Sequence, residues 1–255
     1  MIPKIIHYCW FGSNPMPPIV LKCIESWKAK MPDYEIKLWN EDNVPIKEYK
    51  FMKDAYSVKK WAFVSDYARY WILYQYGGFF LDCDVEALDS FEKLRNQNIF
   101  FAFNKHVKKS VLFVNPGLII GAIPHCNIIK DILDKYDSVS FLNEVGKPNL
   151  HYSSPRILTN YLIENSNIEI NDKVQHLSNG VTIYSTDYFD PINPRKLFGN
   201  KLEITPNTVG IHHCAASWVP RSRKIKLYLS IIIRNIFGDK LIDALRGKEK
   251  MVYGQ

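Results

Sequence analysis

The sequence of 255 residues has few cysteines, and none is placed for a disulfide framework or a zinc knuckle. Its five cysteines are an odd number, and no two of them form a Cys-x-x-Cys pair. Reduced thiols in a cytosolic compartment are the simpler interpretation of this pattern. We therefore do not expect a small secreted fold that disulfides hold together.

Long apolar runs are also missing. No uncharged apolar stretch approaches the roughly 20 residues that a membrane-spanning helix needs. Residues 1–8 lack the basic region and apolar run of a signal peptide, so we expect the protein on the cytosolic side of the membrane. The sequence contains neither an internal repeat nor a low-complexity segment.

The charge of the chain is unbalanced, with a net charge of +7, although 47% hydrophobic and 23% charged residues are ordinary for a folded protein. A basic balance favours anionic partners. Much of the excess lies in residues 221–255, where basic residues flank an apolar run. This segment predicts either a terminal helix packed on the domain or a helix on an anionic membrane surface. Nucleic-acid binding is disfavoured, because it requires a basic stripe interleaved with aromatics.

Strand-like and helix-like segments alternate along residues 1–220. This order predicts one α/β domain with a mostly parallel sheet flanked by helices. The clearest helix covers residues 61–76, which contain no Gly or Pro and precede the helix-stop signal Gly77-Gly78. Other predicted helices cover residues 17–30 and 126–136 or begin near residues 45 and 154. Predicted strands cover residues 2–9, 35–39, 79–81, 99–103, 111–114, 118–121 and 209–214.

Two acidic residues, Asp82 and Asp84, follow the predicted strand at 79–81. The carboxyl ends of parallel strands form the ligand-binding edge of an open α/β sheet. Two carboxylates so close together repel each other unless a positive charge lies beside them. A divalent cation shared with diphosphate oxygens removes this repulsion, and the hard oxygens favour Mg²⁺ or Mn²⁺. The alternative interpretation is a solvated polar turn after an edge strand.

Asp66 and Arg69 lie three residues apart on the predicted helix and therefore share one of its faces. A simple intrahelical ion pair is one interpretation. An ion pair on a partly apolar face is costly unless it has a further role. In the functional interpretation, Asp66 accepts a hydrogen bond from a sugar hydroxyl and Arg69 contacts phosphate or sugar oxygens.

Three segments give the chain a resemblance to glycosyltransferase family 32, and a more distant one to the glucosylating domains of large clostridial toxins. They are residues 2–12 (IPKIIHYCWFG), residues 62–84, which hold both acidic motifs, and residues 211–218 (IHHCAASW). The resemblance implies a GT-A fold and sugar transfer with retention at the anomeric carbon. It also implies that Asp66 and Arg69 grip the sugar of a nucleotide-sugar donor such as a UDP-hexose or GDP-mannose.

Further donor-binding residues are implied by the same resemblance. Trp10 matches a position that stacks on the donor base, and Phe11 adjoins it. Ser217 and Trp218 match a segment that covers the diphosphate. Phe80 stands where relatives often carry Tyr, so a hydroxyl contact to the nucleotide is missing there.

The metal ligands are implied in the same way. Asp84 matches the direct ligand, and Asp82 matches a carboxylate near the ribose and the metal. His212 or His213 would complete the metal shell or contact the diphosphate. Because the two histidines alternate faces on a predicted strand, only one of them can point into the site.

These features predict a metal-dependent retaining glycosyltransferase, with a catalytic domain at residues 1–220 and a basic amphipathic segment at residues 221–255. A lipid-linked glycan acceptor in bacterial surface polysaccharide synthesis, met at the inner face of the plasma membrane, would suit that segment. A metal-dependent phosphohydrolase is the alternative. Such enzymes usually have Thr two residues after the second Asp, where this chain has Glu86. A non-catalytic sugar-binding module would need neither acidic motif.

Overall fold

A central sheet organises the fold, which a computed structural model describes for residues 1–105, 112–191 and 202–215. Within these residues its strands are β1 (Ile5–Cys9), β2 (Glu35–Trp39), β3 (Gly78–Phe80), β5 (Ile99–Lys105), β6 (Leu112–Val114), β7 (Ile120–Ala122), β8 (Gln175–His176) and β9 (Val181–Tyr184). A separate ribbon pairs β4 (Val85–Ala87) with β10 (Gly210–His212) in antiparallel register.

The strand order in the sheet is β2-β1-β3-β7-β5-β9-β8, with β6 paired on β5. Strands β1, β2 and β3 are mutually parallel, and β9 is parallel to β5. Strand β7 runs antiparallel to both β3 and β5 and joins the two parallel groups. Five strands therefore point in one direction, and the predicted fold class, a mostly parallel sheet flanked by helices, is confirmed.

Helices cover both faces of the sheet. They are α1 (Pro18–Lys30), α2 (Lys50–Ser57), α3 (Trp61–Tyr76), α4 (Asn127–Asp137) and α5 (Ser154–Asn165). Successive side chains of a strand point to opposite faces. In β5, Phe101 and Phe103 accordingly pack with α2 to α5, whereas Phe100 packs on the other face with α1 residues such as Trp27. The two apolar cores hold the sheet edge rigid beneath the cleft described below.

The connection from α3 to β3 aligns the two acidic motifs. Helix α3 has the predicted bounds and ends at Gly77, whose φ is +61°. Gly78 also has a positive φ, and a Cβ there would come within 2.7 Å of the Ile5 carbonyl oxygen. Only glycine fits this reversal without strain. Strand β3 therefore begins directly after α3 and runs parallel to β1. This brings Asp82, which follows β3, beside α3.

Some sequence predictions missed or cannot be compared with the structure. Strands β4, β8 and β9 were not predicted, and the helix expected near residue 45 begins at Lys50. No helix in the described part of the chain is long and apolar enough to span a bilayer. The predicted segment 221–255 lies outside the described residues.

His7 is fully buried in β1 and links three parts of the fold. The Trp39 indole donates to its Nδ1 at 3.0 Å, and its Nε2 lies 2.9 Å from the Gly77 carbonyl oxygen. With Nδ1 accepting, Nε2–H is the donor, so the ring is neutral. Burial lowers the pKa of His7 to about 4. The residue is a structural histidine.

His7 should make the protein less stable in mild acid. Its folded-state pKa lies below the unfolded value of about 6.5, so the unfolded chain takes up the proton first. The stabilisation is complete above pH 6.5 and is lost as the pH falls towards 4, about 3 kcal/mol in all. We expect His7→Gln to be less stable at pH 7 but to lose less free energy of unfolding between pH 7 and 4.5 in urea titrations.

Burial also raises the pKa of Asp66 and Asp190 to about 6, which favours the folded state in acid and opposes the effect of His7. Both carboxylates are present in the variant as well as in the unchanged protein. The difference between the two titrations therefore isolates His7. Equal slopes with pH in the two proteins would contradict the assignment.

Candidate active site

A cleft of about 650 Å³ opens where β1 and β3 end. It is lined by residues that directly follow these strands, such as Trp10 and Asp82, and by α3 residues that include Asp66 and Arg69. Ligands bind outside the carboxyl ends of the strands in open α/β sheets, and the cleft has that position.

Arg69 lies at the floor of the cleft between two carboxylates. Its Nη2 is 3.0 Å from Oδ1 of Asp66 and 3.2 Å from Oδ1 of Asp82. The guanidinium group stacks over the Phe80 ring at 5.1 Å and is only 4% exposed. A buried guanidinium with two acidic partners has a fixed orientation, and the sequence predicted only the first of these ion pairs.

Asp66 is held from two sides. Its Oδ1 accepts from Arg69, and its Oδ2 accepts from the Ser154 amide at 3.0 Å, at the first residue of α5. The Ser154 hydroxyl in turn donates to the Tyr70 hydroxyl oxygen at 2.9 Å. Burial raises the pKa of Asp66 to about 6, and the charge of Arg69 acts in the opposite direction.

Asp82, Asp84 and His212 form a cluster that could hold a metal ion. One ligand atom from each lies within 4.8 Å of the others. Nε2 of His212 is 3.4 Å from Oδ1 of Asp84. Two carboxylate oxygens and an imidazole nitrogen are a ligand set that suits Mn²⁺ or Mg²⁺, with further positions open to phosphate oxygens.

The segment after β10 is built around Asp84. Antiparallel pairing places His212 opposite Val85, the neighbour of Asp84. The His213 amide donates to the Asp84 carbonyl oxygen at 3.0 Å, and the Ala215 amide donates to Oδ2 at 2.7 Å. Burial acts to raise the pKa of Asp84, but His212 and the Ala215 amide lower it below the usual range. Asp84 is therefore ionised, as a metal ligand must be.

The two neighbouring histidines point in different directions. His212 faces the carboxylates, and although burial opposes its charged form, Cys214 and Asp84 raise its pKa well above the ordinary value. His213 lies with its Nε2 2.8 Å from Oε2 of Glu86, which also accepts from Lys22. Strand alternation thus separates the pair as expected, and His212 is the histidine within reach of a cation.

The other proposed donor-binding residues occupy different environments. Trp10 is half-buried, lines the cleft and is fixed by an indole hydrogen bond of 2.7 Å to the Asn14 carbonyl oxygen. Phe11 also lines the cleft. Phe80 is fully buried beneath Arg69, outside the cleft lining, so it supports the guanidinium and offers no surface to a nucleotide. Ser217 and Trp218 lie outside the described residues.

Comparison with known proteins finds a match that includes the central part of this site. Residues 17–101 match the family model described as a glycosyltransferase sugar-binding region containing a DXD motif. This part of the chain is therefore similar to the DXD sugar-binding regions of glycosyltransferases. The matched residues include α3 and both aspartates of the motif, Asp82 and Asp84, so the resemblance noted in the sequence is confirmed.

Relatives of this sugar-binding region differ in source and length. Inositol phosphoceramide mannosyltransferase 3 of Schizosaccharomyces pombe is 35% identical over 92 residues, which are 33% of this chain and 24% of the yeast protein. An uncharacterized glycosyltransferase of Acanthamoeba polyphaga mimivirus is 24% identical over 243 residues, 89% of this chain and 88% of the viral protein. The chain thus matches only about a quarter of the length of that yeast relative.

A solved structure shares the fold that surrounds the sugar-binding region. PaToxG glycosyltransferase superposes with a TM-score of 0.50 and 17% identity, over 64% of this chain and 69% of that one. Because the sequence identity is low, this likeness concerns the fold alone. It agrees with the GT-A architecture expected from the sequence.

Two positions of the candidate site were not predicted from sequence. Ser154 supplies its backbone amide to Asp66, a role that no side-chain pattern reveals. Gly117 lies in the turn of an Asn-Pro-Gly segment, and its carbonyl accepts from the Asp82 amide at 3.0 Å. A Cβ on Gly117 would overlap with Oδ2 of Asp82 and lie 3.0 Å from its Cγ. Asn-Pro-Gly is a turn signal, but the contact with Asp82 is not visible without the fold.

Gly117→Ala should displace the Asp82 carboxylate and weaken cation binding. A positioning residue next to a metal ligand typically changes affinity roughly 10- to 100-fold when altered. We expect a loss of that size in Mn²⁺ affinity, measured by calorimetry or electron paramagnetic resonance, with an unchanged circular dichroism spectrum. Gly146→Ala is the control for backbone strain, because its φ of +72° disfavours alanine although a Cβ there meets no atom within 4 Å. Equal Mn²⁺ affinity in both variants would contradict this role.

Proposed function

We propose that the chain is a metal-dependent, retaining glycosyltransferase that moves a hexose from a nucleotide-sugar donor to a glycan acceptor. One observation carries the proposal. The cluster of Asp82, Asp84 and His212 lies in the same cleft as the Arg69–Asp66 pair, and Arg69 touches both motifs. A cation site and a sugar-binding pair joined in this way fit a substrate with a diphosphate next to a sugar.

Different residues of the cleft would bind different parts of the donor. Trp10 presents a half-buried indole at one end, suited to stacking on a nucleobase. Asp66 lines the floor and has lone pairs free to accept from sugar hydroxyls, because each oxygen holds only one of the hydrogen bonds described above. Mn²⁺ or Mg²⁺, when bound by Asp82, Asp84 and His212, would supply positive charge for the departing diphosphate.

Front-face attack is the mechanism that the acidic residues favour. Among the cleft-lining residues that the structure describes, the carboxylates are Asp66, Asp82 and Asp84. Each is engaged by a cation or an amide, which makes it a poor nucleophile. The acceptor hydroxyl oxygen would bond to the anomeric carbon as the bond to the diphosphate oxygen breaks. Its proton would pass to that departing oxygen, and the configuration would be retained.

The acceptor and the location belong to the same proposal. A lipid-linked glycan of bacterial surface polysaccharide, met at the inner face of the plasma membrane, suits the basic and apolar residues 221–255. The name of the yeast relative points to an acceptor that joins a phosphate and a lipid to the accepting hydroxyls. Both acceptors are anionic amphiphiles, which a chain with a net charge of +7 would attract.

Turnover should depend on a divalent cation and on Asp84. A screen of UDP-hexoses and GDP-mannose for donor cleavage, with Mn²⁺ or with EDTA, should find one donor cleaved only with the cation. Asp84→Asn should lower that rate at least ~100-fold, because the variant loses the ionised ligand. Glu25→Gln, an exposed surface change on α1, is the control for charge and should leave the rate unchanged.

The products distinguish transfer from the phosphohydrolase alternative. A transferase cleaves the glycosidic bond and releases a nucleoside diphosphate together with free or transferred sugar. A phosphohydrolase releases sugar phosphate and nucleoside monophosphate, or inorganic phosphate. Near-native cleavage by Asp84→Asn, or phosphate release as the main reaction, would overturn the proposed function.

A further inference from the structure

The turn between α2 and α3 has an unusual residue at its key position. The Lys59 amide donates to the Tyr56 carbonyl oxygen, and the Lys60 amide donates to the Ala55 carbonyl oxygen, both at 2.9 Å. These two bonds define a Schellman motif, which needs a left-handed residue directly after the helix cap. Lys59 occupies that position with a φ of +56°. Glycine is the usual residue there, because a Cβ is disfavoured in this conformation.

Two other helices in the described part of the chain are followed by a left-handed residue, and both use the expected residue type. Helix α3 ends at Gly77 and α5 is followed by Asn167, with φ values of +61° and +51°. Glycine and asparagine are the residues that tolerate a left-handed conformation best. The lysine after α2 is thus a local conflict between backbone preference and side chain. Conflicts of this kind concentrate at functional sites.

Lys59 also stands apart in the charge balance of the cleft. The charged side chains that line the cleft are Lys59, Asp66, Arg69, Asp82, Asp84 and His212. The last five pair with one another through Arg69 and His212. Lys59 has no ion-pair partner in the part of the chain that the structure describes. The cleft therefore contains one exposed ammonium group that its own carboxylates do not neutralise.

Lys59 lies in a different part of the fold from the three residues of the metal cluster. It lies in the turn before α3, whereas Asp66 lies within that helix, more than one turn after its first residue. Its turn is anchored, because the Tyr56 ring contacts the Trp61 ring at 5.0 Å and Tyr56 shares the Glu41 carboxylate with the Gly12 amide. The ammonium group is therefore presented from an anchored turn at the cleft wall, outside the set of ion pairs that Arg69 and His212 form.

We propose that Lys59 is a specificity residue that binds a phosphate group carried by the acceptor. This inference rests on the proposed function. A nucleotide sugar carries its negative charge on the diphosphate, which the cation and Arg69 already face. A second cationic group outside these ion pairs fits a second anion, and a phosphate beside the accepting hydroxyls supplies one. The phosphate can belong to a lipid headgroup or to a soluble sugar phosphate.

The test measures binding, so that it does not depend on turnover. Mannose 6-phosphate, with mannose as its uncharged counterpart, represents the soluble source. Phosphatidylcholine vesicles with and without phosphatidylglycerol represent the lipid source. We expect the unchanged protein to prefer the phosphorylated member of at least one pair. Lys59→Gln should weaken that binding about tenfold, the effect of losing one charge-assisted hydrogen bond, and Lys59→Arg should retain it.

Lys60→Gln is the matched control. It removes the same charge from the next residue, whose side chain does not line the cleft. Lys59→Gly should lose phosphate binding while its melting temperature rises by about 2 °C, since it relieves the left-handed strain. A merely structural lysine would not show this combination. Asn167→Gly, at the end of α5, should change melting without changing binding.

Several outcomes would overturn the inference. Equal losses in Lys59→Gln and Lys60→Gln would show general charge attraction. A loss confined to binding of UDP with Mn²⁺ would place the lysine on the donor. Unchanged phosphate binding in Lys59→Gln would remove the role altogether. Failure of the proposed function would appear separately, as donor cleavage that ignores Asp84→Asn.

Discussion

The structure of this cleft depends on the compensation of three buried or half-buried carboxylates by two cationic groups. Asp66 and Asp82 share Arg69, and Asp84 is compensated by His212 and a backbone amide. Without these partners the acids would repel one another and resist ionisation. The arrangement keeps Asp84 charged despite its burial, so this carboxylate is ionised before any cation arrives, whereas His212 must release its proton to become a ligand.

The backbone brings these charged side chains together. Arg69 reaches Asp82 only because the glycines after α3 turn the chain directly into β3. His212 reaches Asp84 only because β10 pairs with β4. These two strands are far apart in sequence but adjacent in the ribbon. The helix α5 contributes its first amide, a donor that helices leave unpaired at their amino ends. Secondary-structure elements on three sides of the cleft thus orient its charged side chains.

Local signals were enough to predict the parts of the fold that have strong periodicity or strong stop signals. Helix α3 and strand β2 have the predicted bounds, because Gly77-Gly78 ends the first and apolar alternation marks the second. Strand β9 was missed although it lies next to β5 in the sheet. Its residues have strand propensity, but only the pairing with β5, which is distant in sequence, identifies them as a strand of the sheet.

The candidate site was predictable to the extent that its chemistry is written in residue types. Paired aspartates after a buried strand indicate a cation, and an acidic and a basic residue three apart indicate a shared helix face. The sequence did not predict the contacts between the Asp66/Arg69 pair and the Asp82/Asp84 motif. The contact of Arg69 with Asp82, the orientation of His212 rather than His213, and the space left by Gly117 are all products of tertiary packing.

Asp84 links cation binding to the folding of the chain around it. Its carboxylate oxygens face His212 and the Ala215 amide, and its carbonyl accepts from the His213 amide, so one residue both serves the cluster and fastens residues 212–215. Any group that binds the Asp84 carboxylate must also affect the contacts with His212 and the Ala215 amide, because they use the same oxygens. The order of the segment after β10 and the geometry of the cluster are therefore coupled through a single side chain.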